Sequence, residues 1–190
     1  MNKELRLFTD FLSSPGNDSC DLSFLESPEQ WLNSLLGQNA NRFFRIYFRN
    51  KASDLCGEWD KTGKFNEEER LPFVWLSSEG TPQTIIAKDT TEFLSLLPYG
   101  VNILTGVPEI LKRFEQNPND VIPPEEMYSQ AVISESYSYQ STHFSGHKSM
   151  VTFITRTLGI ELSTTPFETI RRTVNSFPDL EKWIEMNLNP

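Results

Sequence analysis

Cysteine is scarce in this sequence: Cys20 and Cys56 are the only two among 190 residues, too few for the disulfide framework of a small secreted domain. Both read as free thiols in a reducing compartment. Nothing in Met1 to Phe11 resembles a secretory leader, because Lys3, Glu4, Arg6 and Asp10 interrupt its apolar residues. Histidine is equally rare, with only His143 and His147, which leaves few bases for nucleophilic catalysis. No apolar run approaches the roughly 18 to 20 residues that cross a bilayer, and no lipidation motif stands at either end, so a cytoplasmic location is expected. Basic residues are outnumbered, 17 Lys and Arg against 26 Asp and Glu, for a formal net charge of −9. That charge repels phosphate backbones and anionic lipid and favours a basic partner, so neither direct nucleic-acid binding nor membrane binding is expected. It also serves plain solubility. Gly80, Gly100 and Gly106 stand singly, so there is no phosphate-cradling loop, and no G-x-S-x-G elbow occurs.

Aromatic residues are plentiful, with 14 Phe, 4 Trp and 5 Tyr, enough to build a core without disulfide or metal in one domain or one domain with a small appendage. Leu5, Phe8 and Leu12 fall at helical spacing before Ser13-Ser14-Pro15-Gly16. Ser27-Pro28-Glu29-Gln30 opens a second helix through Trp31, Leu32, Leu35 and Leu36, closed by Gly37. From Arg42 to Arg49 the period changes to two: Phe44, Ile46 and Phe48 share one face, and Arg45, Tyr47 and Arg49 share a wet one. Leu71 to Leu76 and Gln83 to Ala87 flank Glu79-Gly80-Thr81-Pro82 as a hairpin. Asp89-Thr90-Thr91-Glu92 caps a helix carrying Phe93, Leu94, Leu96 and Leu97, and another helix runs from Pro108 to Gln116. Ser134 to Ser149 is Ser-, Tyr- and Gln-rich with little apolar mass and reads as a surface loop or linker. Helices resume through Val151, Ile154 and Leu158, after Thr165-Pro166-Phe167-Glu168, and through Leu180, Trp183 and Ile184. The pattern predicts an α+β fold, an antiparallel sheet flanked by helices with a helical C-terminal extension. Its expected divisions are a core over 1–133, a linker over 134–149 and a helical segment over 150–190 packed on the core. Phe44, Ile46, Phe48, Phe73, Trp75, Ile85 and Phe93 are expected to meet in one core.

The candidate chemistry is thin. His143 and His147 have the H-x-x-x-H spacing of a zinc pair, but Ser145 and Gly146 lie between them and no Glu follows His143, so two exposed loop histidines and no metal are expected. Carboxylates beside both cysteines disfavour thiolate formation. Glu58 and Asp60 flank Trp59, and Glu67, Glu68 and Glu69 follow. Such a stretch can serve acid/base chemistry, dock a basic surface with Trp59 as aromatic anchor, or be a solvated connector with Trp59 buried.

The segments Leu71 to Gly80, Thr84 to Asp89 and Glu92 to Leu97 together resemble the SUKH superfamily. Its bacterial members show an apolar strand, an S-E-G or S-D-G turn, a second strand and a short helix reading E-F-L-x-L-L, as in Ser78-Glu79-Gly80 and Glu92-Phe93-Leu94-Ser95-Leu96-Leu97 here. The family's N-terminal L-P-x-D/E-Y-like turn is missing, and residues 101–190 have no counterpart in it. The resemblance implies an α+β fold of binding proteins, many of them immunity proteins that neutralise bacterial toxins, and it carries over no catalytic residue or cofactor. The leading expectation is an immunity-type protein that occludes a basic toxin domain, such as a nuclease, through Glu58, Trp59, Asp60, Glu67, Glu68 and Glu69. The alternatives are an intracellular scaffold or regulatory module, and an enzyme with a diffuse carboxylate or histidine site.

Overall fold

Branched and aromatic residues form strands where they cluster, and here they build one sheet. The computed structural model describes residues 1–66, 70–79, 83–119 and 122–188. Strands β1 (Leu22–Phe24), β2 (Phe44–Asn50), β3 (Leu55–Trp59), β4 (Phe73–Leu76) and β5 (Thr84–Ala87) lie side by side in chain order, each antiparallel to the next. The expected hairpin is the β4–β5 pair, although Gly80, Thr81 and Pro82 of its turn lie outside the described residues.

The strand at residues 44–50 has no wet face. Ile46 pairs with Gly57 and Phe48 with Cys56, leaving Tyr47 as the extra residue of a bulge. A bulge reverses the side-chain alternation beyond it. Phe44, Ile46 and Ile85 therefore join Trp59, Val74 and Leu76 on one face, while Phe48, Phe73, Trp75 and Phe93 join Tyr47 and Cys56 on the other. The single core expected from those seven residues is two cores divided by the sheet. Arg45 and Arg49, expected in water, are half-buried with their guanidinium groups 4.2 Å from the Phe65 ring and 4.5 Å from the Trp31 ring.

One face is covered by helix α1 (Lys3–Leu12), α3 (Thr90–Leu96), α4 (Val101–Gln116), α6 (Gln130–His143), α7 (His147–Thr152) and α8 (Pro166–Ser176). Phe93 stacks on Phe73 with ring centroids 4.4 Å apart. The other face receives α2 (Pro28–Leu36) and α9 (Leu180–Leu188). A short helical turn, α5 (Pro124–Met127), precedes α6. Asp89 caps α3 by accepting from Glu92 N–H at 2.8 Å, and Glu92 accepts in turn from Lys88 N–H at 3.0 Å. Ser27 and Thr165 stand at helix starts without a side-chain cap bond, and the proline that follows each sets the first turn instead.

Two further expectations are corrected. Helix α4 begins at Val101, and Pro108 sits inside it as a buried residue. The 134–149 linker is instead the body of α6 and the start of α7. The helix is held by packing of its inward residues and tolerates its hydroxyls, which bond back to the preceding turn, as Ser138 does to the Ser134 carbonyl at 2.9 Å and Thr142 to that of Ser138 at 2.8 Å. Ile133 and Gln140, two turns apart, point inward. Ile133, Met150 and Ile170 share the core of Phe48 and Phe93, so no domain boundary falls there and the C-terminal helices pack on the sheet. Among the described residues, no single helix is long and apolar enough to cross a membrane.

Candidate functional site

The residues singled out in the sequence converge on the end of β3, although Glu67, Glu68 and Glu69 lie outside the described residues. Glu58 is 7% exposed and Trp59 2% exposed, which removes both from any contact patch. Glu58 faces the α3 side of the sheet, where its carboxylate accepts from the Tyr47 hydroxyl at 2.8 Å and the Thr90 hydroxyl at 3.4 Å. Thr90 accepts from the Asn2 amide at 2.8 Å, and Asn2 also caps α1. The carboxylate thus ties β2, β3, α3 and α1 together. Burial first, and then the charge of Glu58, push the Tyr47 phenol well above its ordinary pKa, so it remains a donor.

Trp59 points to the opposite face, at 5.2 Å and 73° from the Trp183 ring of α9. Trp183 in turn lies 5.0 Å from Phe43 and 6.2 Å from Phe44. The tryptophan anticipated as an anchor for another molecule anchors the protein's own last helix. Large flat rings gain most where both faces are covered, and this site covers them internally.

Asp60, 3% exposed, begins the loop after β3. One oxygen accepts from Thr62 N–H at 2.8 Å and the Thr62 hydroxyl at 2.7 Å, and the other accepts from Lys64 N–H at 3.0 Å and Phe65 N–H at 2.6 Å. Burial raises the carboxyl pKa, but the bonds from the Thr62 hydroxyl and from the three N–H groups outweigh it and hold the pKa below the ordinary value. Phe65 takes the left-handed conformation at φ 44°, disfavoured for a bulky residue, and persists in it under the Arg45 guanidinium. Gly63 has φ 67°, and a Cβ there would stand 2.9 Å from Arg42 Cγ. Residues 60–66 are therefore knotted into one shape from which Lys61, Thr62, Lys64 and Asn66 project.

The carboxylates of Glu58 and Asp60 are buried and engaged in holding structure, so they do not form a docking patch. The exposed part of the site is the rim of the Asp60 loop. Arg45 and Phe65, which set that rim, could have been found in the sequence only from the register of β2 against β3.

The histidines also separate. His143 is exposed at the end of α6 and stacks on Tyr139, whereas His147, expected in a loop, is 2% exposed and donates from Nε2 to the Pro98 carbonyl at 2.9 Å. No group of three His, Cys, Asp or Glu side chains suited to a metal forms among the described residues. Burial pushes the Cys20 thiol up to about 12, with Asp21 and Asp18 adding to it against a Leu22 N–H bond, and burial alone raises Cys56. The chain matches no protein-family model, no curated protein and no solved structure.

Proposed function

We propose that the protein binds another protein, as an immunity-type factor that occludes a basic toxin domain such as a nuclease. The observation that carries this reading is the loop knotted around Asp60. Its shape is set before any partner arrives, which limits the entropy lost on binding, and it leads directly into Glu67-Glu68-Glu69. The net charge of −9 supports steering toward a basic surface. The stretch that resembles the SUKH superfamily supports it as well, because β4, β5 and α3 pack together in one core.

The test is capture of a partner from native lysate, repeated with neighbouring gene products added, followed by association kinetics. Glu67→Gln, Glu68→Gln and Glu69→Gln together should slow association and flatten its salt dependence, with dissociation little changed. Asp60→Ala, which frees the loop, should speed dissociation. A captured toxin whose binding ignores both variants would move the interface elsewhere, and capture of no basic partner would remove the immunity reading.

A further inference from the structure

Apart from the Asp60 loop, the sheet itself is open at β1. Strand order runs from β1 to β5 in sequence, so among the described residues β1 has a neighbouring strand on one side only. Its register against β2 fixes which backbone groups face outward. Ser23 stands opposite Arg49, and Leu25 N–H donates to the Tyr47 carbonyl at 2.9 Å, so residues 23 and 25 turn their N–H and C=O groups toward β2. Leu22 and Phe24 alternate with them and turn theirs away. The Leu22 N–H is taken by the Cys20 thiol. The open edge is therefore the Leu22 carbonyl together with the N–H and carbonyl of Phe24.

Edge strands are commonly blunted by lysine, proline or a bulge. Residues 22–24 contain no lysine or proline, and their pairing with β2 runs without a register shift. Leu22 is buried with Leu5 and Phe8, which fixes the strand in place. Phe24 follows on the same face and is 38% exposed. On the opposite face, the one that Ser23 and Arg49 share, Trp31 is 42% exposed under the Arg49 guanidinium. Each face of this end of the sheet thus carries an exposed aromatic ring, against which an added strand can rest alternate side chains.

Charge selects what can be added. From Leu7 to Asn41 the chain carries Asp10, Asp18, Asp21, Glu26 and Glu29 and no basic residue. Asp21 and Glu26 stand just outside the two ends of β1, and Glu29 lies in the first turn of α2. Across from β1, Arg49 and Lys51 lie over the Trp31 and Phe144 rings. So short an edge offers few main-chain bonds, and complementary charge must add to them. A second copy of this chain would bring the same acids to the same place and be repelled. We infer that the outer edge of β1 takes up an extended, lysine- or arginine-bearing segment of a partner protein as a sixth strand, with an apolar residue against Phe24 and cations toward Asp21, Glu26 and Glu29.

The probe is the acetylated and amidated peptide Lys-Val-Lys-Val-Lys-Val-Lys, titrated into the full chain and followed by amide NMR and hydrogen exchange. In the free chain the Phe24 N–H should exchange as an unprotected amide while that of Leu25 is slowed, and saturating peptide should slow Phe24 at least about tenfold. The same peptide with Glu for Lys should not bind. N-methylation of every Val, which removes the N–H groups facing the edge, should weaken binding at least about tenfold. Glu26→Lys together with Glu29→Lys should weaken it about tenfold at low salt, and Phe24→Ala about threefold. Phe24→Pro removes the outward N–H without touching a bond to β2, a change that edge strands accept, and should abolish the peptide-induced shifts of the Ser23 and Leu25 amides. Glu67→Gln, Glu68→Gln and Glu69→Gln together should leave binding within about twofold. A Phe24 N–H already protected in the free chain, or protected only as chain concentration rises, would show the edge occupied by the chain itself or by a second copy and overturn the assignment. So would equal binding of the acidic or N-methylated peptide, or a loss in the triple glutamine variant as large as that in the Glu26 and Glu29 variant. Failure here leaves the reading of the Asp60 loop standing, since that loop follows β3 and has its own variants.

Discussion

At the scale of single residues, three neighbours in sequence hold three different parts of the molecule. Glu58 points into one core, Trp59 into the other, and Asp60 into its own loop. Truncating Trp59 to Ala should cost about 3–5 kcal/mol of stability in urea unfolding, the range for a buried large aromatic. An exposed anchor would have cost less than about 0.5 kcal/mol. Asp60 contributes through its ionised form. Because its folded pKa lies below the ordinary value, its stabilisation is fully present above the unfolded carboxyl pKa and is lost as pH falls through the lowered folded one. Asp60→Asn should therefore be less stable than the parent at neutral pH, and the difference should shrink steadily in urea titrations taken below about pH 4. The thiols should behave alike, because burial is the leading cause at both: neither Cys20 nor Cys56 should react readily with a thiol reagent at neutral pH until the protein unfolds.

At the scale of elements, what was legible in the sequence was local and what was not depended on pairing. The α3 cap at Asp89 and the Pro28 and Pro166 helix starts follow from neighbouring residues alone. The two-face division of Phe44 and Phe48 does not, since the Tyr47 bulge exists only relative to β3. Strand β3 itself escaped notice because Gly57 and Glu58 break its apolar character, and both are there for tertiary reasons. A Cβ at 57 would stand 2.1 Å from the Arg45 carbonyl oxygen and 2.7 Å from Ile46 Cα, so the bulged strand lies directly against this glycine. Gly57→Ala should consequently destabilise the protein by on the order of 3 kcal/mol in chemical unfolding, because the clash is with backbone that cannot yield without losing the pairing. Helix α6 was missed for the opposite reason: its inward face is only Ile133 and Gln140, too sparse a stripe to register as periodicity. The same holds for the candidate sites. Carboxylates at 58 and 60 were visible in the sequence, but their burial was not.

At the scale of the whole molecule, the sheet is the shared wall of two cores, and this bears on how the chain unfolds. One core joins residues from Leu5 to Ile170, and the other joins Leu32 to Ile184, so each draws on both ends of the chain. Neither can be lost while the other stays intact, because β2, β3 and β4 contribute alternate side chains to both. A linker over 134–149 would have let the C-terminal helices melt apart from the rest. Instead Ser136 donates to the Tyr99 carbonyl at 2.7 Å, His147 holds the Pro98 carbonyl, and Trp183 sits beside Trp59. Unfolding should therefore be a single cooperative transition. Far-UV circular dichroism and tryptophan fluorescence should give one urea midpoint, and in a variant retaining only Trp75 of the first core, as in one retaining only Trp183 on the second, fluorescence and dichroism should coincide at that variant's own midpoint. Limited proteolysis should leave 134–149 uncut until that midpoint is reached. Two separated midpoints, or early cleavage between α6 and α7, would mean that the helices after residue 150 form a lobe of their own and that the sheet does not couple the two cores.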